Sequence, residues 1–187
     1  TRNYSKQSWS AYNSTFNLDQ KELSNPDAWI GGLKAGRNYY VWTVTNKECA
    51  SSDTVVITNN TPQFLDPDVT ISGDSVLFSP TSSRVTDGSN QAEIRGASVK
   101  PGYGTGHWEL GVGGGTIVTP NNVETVVSDL DLGMSTFKWI VVNNGCRLTG
   151  TYTVNNGYTK AANAGTDVYN LCSDTYQLQA NGPYNGV

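Results

Sequence analysis

Two stretches of this chain, YYVWTVTNKEC (Tyr39–Cys49) and FKWIVVNNGC (Phe137–Cys146), place a tryptophan seven positions before a cysteine. They lie 97 positions apart. At that offset 28–60 runs against 125–157 without a gap. Leu33/Leu130, Gly36/Gly133, Trp42/Trp139, Val44/Val141, Asn46/Asn143, Cys49/Cys146, Thr54/Thr151 and Asn59/Asn156 match, and Tyr40 meets Phe137. Upstream, Trp9 corresponds to Trp108 with a small loop difference. Such a period is too long for a solenoid unit and fits β-sandwich modules of about 100 residues each.

Within each copy, Tyr40, Trp42 and Val44 alternate with Val41 and Thr43, as Phe137, Trp139 and Val141 alternate with Lys138 and Ile140. On a strand the first set in each copy faces one way, and that face is expected to be core. Leu33 and Leu130 anchor the preceding loops. Gly36 and Gly133 permit the positive-φ turn into each strand. Asn144-Gly145 is a hairpin signal, so each cysteine is expected to open the next strand. Trp9, Trp42, Trp108, Trp139, Tyr40, Phe137, Leu33, Leu130, Gly36 and Gly133 thus form the expected core signature.

The reading is all-β, in tandem sandwich modules, one complete and two partial. Residues 1–60 read as the C-terminal part of a module. Residues 61–157 read as a complete module with an insertion near 61–87. Residues 158–187 read as the first strands of a further module, one ending at Cys172 and one over Tyr176–Ala180. Setting Leu178 against Ile94 places Cys172 opposite Gly88, so the middle module has no early cysteine and Cys146 is expected to be a buried free thiol. Two explanations stay open. Either the chain is a window on a longer tandem array, or neighbouring copies complete one another head to tail, because unpaired strand edges invite such completion.

Composition narrows the function classes. Net charge is −4 with twelve basic residues, a poor match to phosphate-rich nucleic acid. No apolar run approaches the roughly 18–20 residues of a membrane span, and no leader peptide is visible at the start. The abundance of Thr, Ser, Asn and Gly suits a turn-rich extracellular β-protein. His107 is the single histidine, which leaves nucleophilic catalysis and zinc binding without a ligand set. No enzyme activity, catalytic residue or metal ligand is expected. Asp66/Asp68 and Asp129/Asp131 are paired acids that read as turn caps, with calcium as the lesser reading. Tyr12, Trp29, Tyr103 and Tyr184 sit in or near loops. They read as packing against neighbouring modules, with a glycan-stacking platform as the rival.

Taken together, Cys172, Leu178, Ala180, Pro183, Trp9, Trp108, Leu33, Gly36, Trp42, Cys49, Leu130, Gly133, Trp139, Val141 and Cys146 give a pattern. It resembles the PKD-like, immunoglobulin-like modules repeated in type IX-secreted gliding-motility adhesins and related giant bacterial surface proteins. The resemblance implies an extracellular, cell-surface array of Ig-like sandwiches with an adhesive or spacer role. Its partners would be neighbouring modules or copies, with surface polysaccharide as a further partner. It implies a disulfide between early and late cysteines, here Cys172 and Cys49 of another copy or adjacent module. It also implies O-glycosylation at Asp-Ser/Thr-aliphatic motifs, matched by Thr54 and Ser75. The rival function is a lectin-like module, or an accessory module of a secreted polysaccharide-acting protein.

Overall fold

The computed structural model describes residues 5–12, 22–47, 49–86, 88–157, 162–170 and 172–180. Among them lie twelve strands and no helix. In chain order they are β1 Ser5–Tyr12, β2 Gly36–Asn46, β3 Cys49–Asn59, β4 Thr70–Ser72, β5 Ser75–Leu77, β6 Ser82–Val85, β7 Ala92–Arg95, β8 Thr105–Val112, β9 Thr116–Ile117, β10 Glu124–Ser128, β11 Gly133–Asn143 and β12 Cys146–Asn156. The chain divides into two compact units. One is Thr1–Gln63 with Lys100–Gly104 and Asn143–Cys146. The other is Phe64–Val99, Thr105–Val142 and Arg147–Val187.

The second unit is a covered sandwich. Its larger sheet runs β4-β5-β12-β11-β8, and β6 also pairs with β12. Its smaller sheet runs β7-β10-β9. The stretch read from sequence as an insertion near 61–87 is part of this architecture. It supplies the β4–β5 hairpin, and it supplies β6, which runs parallel to the C-terminal end of β12 with Val85 beside Asn156. Side chains of both sheets meet in one core, with Trp108, Trp139, Phe137, Val141, Tyr152 and Val154 from one and Ile94 and Val127 from the other. The alternation expected of β11 is present, with Phe137, Trp139 and Val141 buried.

A tryptophan pair sets the middle of this core. Trp108 and Trp139 face one another across β8 and β11. Their rings tilt at 50° with centroids 5.1 Å apart. Trp139 Nε1 donates to the Ala97 carbonyl at 3.0 Å, which gives the buried indole the partner it needs. Gly96 and Gly106 flank that ring so closely that a Cβ on either would lie within 3 Å of it.

The first unit repeats the pattern at the spacing the sequence set. Trp9 and Trp42 lie opposite one another across β1 and β2, tilted at 47° with centroids 4.9 Å apart. Gly36 and Gly133 carry φ of 90° and 92°, the left-handed region that glycine enters without a Cβ penalty. Lys47 and Asn144 hold positive φ in the two hairpin turns. Backbone hydrogen bonds repeat as well. Asn25 N–H donates to Glu22 O as Asn122 N–H donates to Thr119 O, and Trp9 N–H donates to Leu23 O as Trp108 N–H donates to Pro120 O. Asn59 Nδ2 donates to Leu33 O at 3.0 Å, and Asn156 Nδ2 to Leu130 O at 3.0 Å. The matched Asn and Leu of the repeat are therefore two ends of one bond, tying the last strand to the loop before the tryptophan strand.

The strands expected within 158–187 are absent among the described residues. Residues 162–170 and 172–180 are irregular and exposed throughout. A strand persists only where a neighbouring strand takes up its backbone donors and acceptors, and among the described residues no strand pairs with either stretch.

Because Asn156 is buried, Asn156→Ala leaves the Leu130 carbonyl without its donor. The substitution is expected to lower the stability of the second unit by about 1–3 kcal/mol, read by urea denaturation with tryptophan fluorescence. A loss under about 0.5 kcal/mol, the range of ordinary surface changes, would contradict this role.

Candidate functional site

The most distinctive surface of the molecule is the inner face of β1-β2-β3 in the first unit. Matched positions in the two units show what it lacks. Val141 is fully buried, while Val44 is 39% exposed. Tyr152 is 3% exposed, while Val55 is 43% exposed. Trp139 and Val154 are buried, and their counterparts Trp42 and Ile57 only half-buried. At these positions both faces are apolar and differ in cover, while Ser51 and Asp53, paired with Val44 and Trp42, stand where the second unit has Leu148 and Gly150.

In the second unit the cover comes from β4–β7 and β10. Among the described residues of the first unit no strand stands in the place of β4–β7, and the counterpart of β10 is a loop with a single bridge at Gly31. Trp29, matching Val126 of β10, is 93% exposed. β3 is the edge of its three-stranded sheet, and among the described residues no strand pairs along its outer side, where β12 is paired on both sides.

Part of the face is nevertheless rigid. Asn38 is buried and fixes the entry to β2. Its Oδ1 accepts from Lys34 N–H at 3.1 Å, and its Nδ2 donates to Lys34 O at 2.8 Å and Gly36 O at 3.0 Å. Tyr40 is fully buried, and Trp9 Nε1 donates to Asn25 O at 2.9 Å. The sequence reading named Tyr40, Trp9 and Trp42 but missed Asn38, Val55 and Ile57. The alternation of Val55 and Ile57 with Val56 and Thr58 was the available signal.

The other sequence-derived sites are dispersed. Leu130 is buried and Leu33 half-buried. Thr54 on β3 and Ser75 on β5 are both exposed. Asp66 accepts from Ser98 N–H at 2.7 Å and from Arg95 Nη2 at 3.2 Å, long-range ties across the unit and not the local turn cap expected. His107 Nε2 lies 3.1 Å from Glu109 Oε1 on the exposed face of β8. Among the described residues no three His, Cys, Asp or Glu side chains group as a cation site. Of the loop aromatics, Tyr12 packs edge-on against Tyr39 with centroids 6.4 Å apart, and Tyr103 lies under Lys100 Nζ at 5.4 Å. Tyr184 and Pro183 lie outside the described residues. A groove of about 580 Å³ in the second unit is bounded by Pro80, Glu93, Arg95, Val118 and Tyr152. Its Arg95 is already paired with Glu124 at 3.3 Å.

All three cysteines are free thiols, with Cys49 and Cys172 exposed. Cys146 was expected to be buried and is half-exposed. As the first residue of β12 it stands at the end of the strand, beyond the two-sheet core.

No protein-family model and no curated protein sequence matches the chain. Among solved structures it is similar to an endo-fucoidan hydrolase of glycoside hydrolase family 107. Two structures of that enzyme match at 18% and 17% identity and TM-score 0.35, over 82% of this chain. Domains 4 and 5 of the S-layer protein SbsC match at 14% identity and TM-score 0.29, over 81% of this chain and 70% of theirs. The chain spans 24% of the length of the hydrolase structures.

In the dilute, reduced chain Cys49 and Cys172 are expected to react with a maleimide faster than Cys146. Mass mapping of the early adducts reads this directly, and Cys146 as the first site labelled would contradict the exposure described.

Proposed function

We propose that this chain is a structural, adhesive segment of an extracellular bacterial surface fibre or gliding adhesin, built of Ig-like modules stacked end to end and not itself an enzyme. The observation that carries the reading is the repeated module. One three-stranded sheet is written twice around one tryptophan pair, with matching turns and the same Asn-to-Leu hydrogen bond. Repetition at a fixed period gives length and regular geometry, which a fibre or spacer uses and a lone catalytic domain does not.

The physical mechanism is load sharing. Each module is held by long antiparallel ladders. β1 pairs with β2 over eight positions and β2 with β3 over eleven. Each tryptophan pair is a cross-strand pair within a ladder, so shear along the strands must break hydrogen bonds and apolar contacts together. The exposed hydroxyls of Thr54 and Ser75 are suited to the O-glycosylation that the family resemblance implies.

The glycan-binding rival rests on exposed aromatics, of which Trp29 and Tyr12 are the largest in the first unit. The tests separate the two readings. Antibodies raised against this chain are expected to decorate extended fibres on intact cells by immuno-electron microscopy, and a glycan array probed with the purified chain is expected to stay blank. Staining confined to the cell interior would overturn the fibre reading. Saturable binding to one glycan class, lost in Trp29→Ala, would favour the rival.

A further inference from the structure

The open face of the first unit and the exposed stretches 162–170 and 172–180 are complementary, and we infer that they belong together across two copies of this chain. The segment of one copy completes the first unit of the next, and the joint is locked by a disulfide between Cys172 of the donor and Cys146 of the acceptor. This deepens the fibre reading by naming the partner and the joint.

The complete second unit supplies the template. Ser89 there forms a small turn in which Gln91 N–H donates to Ser89 Oγ at 3.3 Å, just before β7. The segment has the same turn at the matched positions, with Thr175 N–H donating to Ser173 Oγ at 3.2 Å. Superposing the turns sets Tyr169 on Val85, Cys172 on Gly88 and Leu178 on Ile94. Val85 and Ile94 are buried core residues. Tyr169 and Leu178 are 77% and 83% exposed, so their apolar area has no cover within the copy that carries them. The two halves already lie side by side, because a Cβ on Gly165 would sit 2.7 Å from Gln179 O.

The register follows from the second unit. β6 runs parallel to β12, with Ser82 beside Thr153 and Val85 beside Asn156. Transferred, Thr166–Tyr169 of the donor lies along Val56–Asn59 of the acceptor's β3 edge. β7 pairs antiparallel with β10, Ile94 beside Thr125 and Ala92 beside Val127. Transferred, Leu178 lies beside Ala28 and Tyr176 beside Ile30, turning the loop around Trp29 into a strand. One position departs from the template. Ala180 stands where Gly96 leaves no room for a Cβ beside Trp139, so Trp42 must seat slightly lower than Trp139, and its half-buried ring has room to move.

This register also decides the cysteine pairing. Cys172 follows Tyr169 by three residues, so it arrives at the Asn59 end of β3. Cys49 is at the other end of that strand, ten residues away, or about 33 Å at 3.3 Å per residue. A disulfide needs Cα atoms within about 7 Å. The Cys49–Cys172 bond implied by the family resemblance therefore does not form within a completed module. The thiol at the correct end is Cys146. The turn Asn143–Cys146 groups with the first unit, and Asn60 Nδ2 reaches Asn144 O at 3.5 Å.

Bond formation by exchange with a small-molecule disulfide balances. The Cys146 thiolate attacks one sulfur of the oxidant and expels a thiolate. The donor's Cys172 thiolate then attacks the Cys146 sulfur of the mixed disulfide and expels the second. The oxidant leaves as two thiols, which carry off the two protons.

The test uses the full chain with oxidised glutathione, read on non-reducing gels. Wild type and Cys49→Ser are expected to give a ladder in multiples of 20.1 kDa that collapses on reduction. Cys146→Ser and Cys172→Ser are each expected to abolish it. In the reduced chain, light scattering is expected to show concentration-dependent association that Leu178→Asp removes. Leu178→Asp is expected to leave the unfolding of the second unit unchanged, since Leu178 is exposed. A ladder lost in Cys49→Ser but kept in Cys146→Ser would overturn the pairing. A chain that stays monomeric at every concentration would overturn the completion. If antibodies to that same monomeric chain still decorated surface fibres, the fibre reading would stand without it.

Discussion

A two-layer β-structure must cover the apolar face of each sheet, and among the described residues that requirement is met once in full and once in part. The cross-strand tryptophan pair is where it bears hardest. Two indoles stacked across neighbouring strands present more apolar area than any other pair in the fold, and burying one such side chain is worth several kcal/mol at about 25 cal/mol per Å². In the second unit Ile94, Val127 and Ala97 close over the pair, and Ala97 also gives Trp139 its hydrogen-bond acceptor. In the first unit the same pair forms at nearly the same distance and tilt, yet Trp42, Val44 and Val55 keep part of their surface. The pair is therefore set locally, by register and by the Asn-to-Leu tie. The cover is a separate component of the module.

That separation explains why the open face holds its shape. Asn38, Asn59 and Tyr40 fix the loop entering β2 and the end of β3 through contacts within the three-stranded sheet. Three strands with one hydrophobic face are near the minimum for independent stability. A preformed acceptor loses less conformational entropy when it is completed than a disordered one would. The backbone groups along the free edge of β3 are oriented for pairing in the same way.

Much of this was legible in the sequence, because the repeat compares the chain with itself. The offset of Trp42 and Trp139 located the sheets, and the alternation around them marked the buried faces. Leu33 with Asn59, and Leu130 with Asn156, were visible as matches but not as bonded pairs, since a spacing along the chain does not say which groups meet in space. The stretch 61–87 looked like an insertion because its strands are three or four residues long and too short to show a period, yet β5 and β6 pair with β12 and β4 with β5. Strands were expected around Cys172 and Tyr176–Ala180 because the residues favour them. The described chain shows none, because strand propensity needs a neighbour to act on. The cysteines were the hardest to read. Their order along the module was clear, but which end of a strand each occupies depends on strand direction, and the parallel run of β6 beside β12 fixes it.

The central claim, that the two units are one sandwich differing in cover, is tested most directly by amide hydrogen exchange in the dilute, reduced chain. The account predicts slow exchange across β12, and fast exchange at the β3 amides facing away from β2, with Val55–Ile57 compared against Tyr152–Val154. It also predicts that β3 gains protection when the concentration is raised until copies associate, while β12 does not change. Equal, high protection of β3 and β12 in the isolated monomer would contradict it.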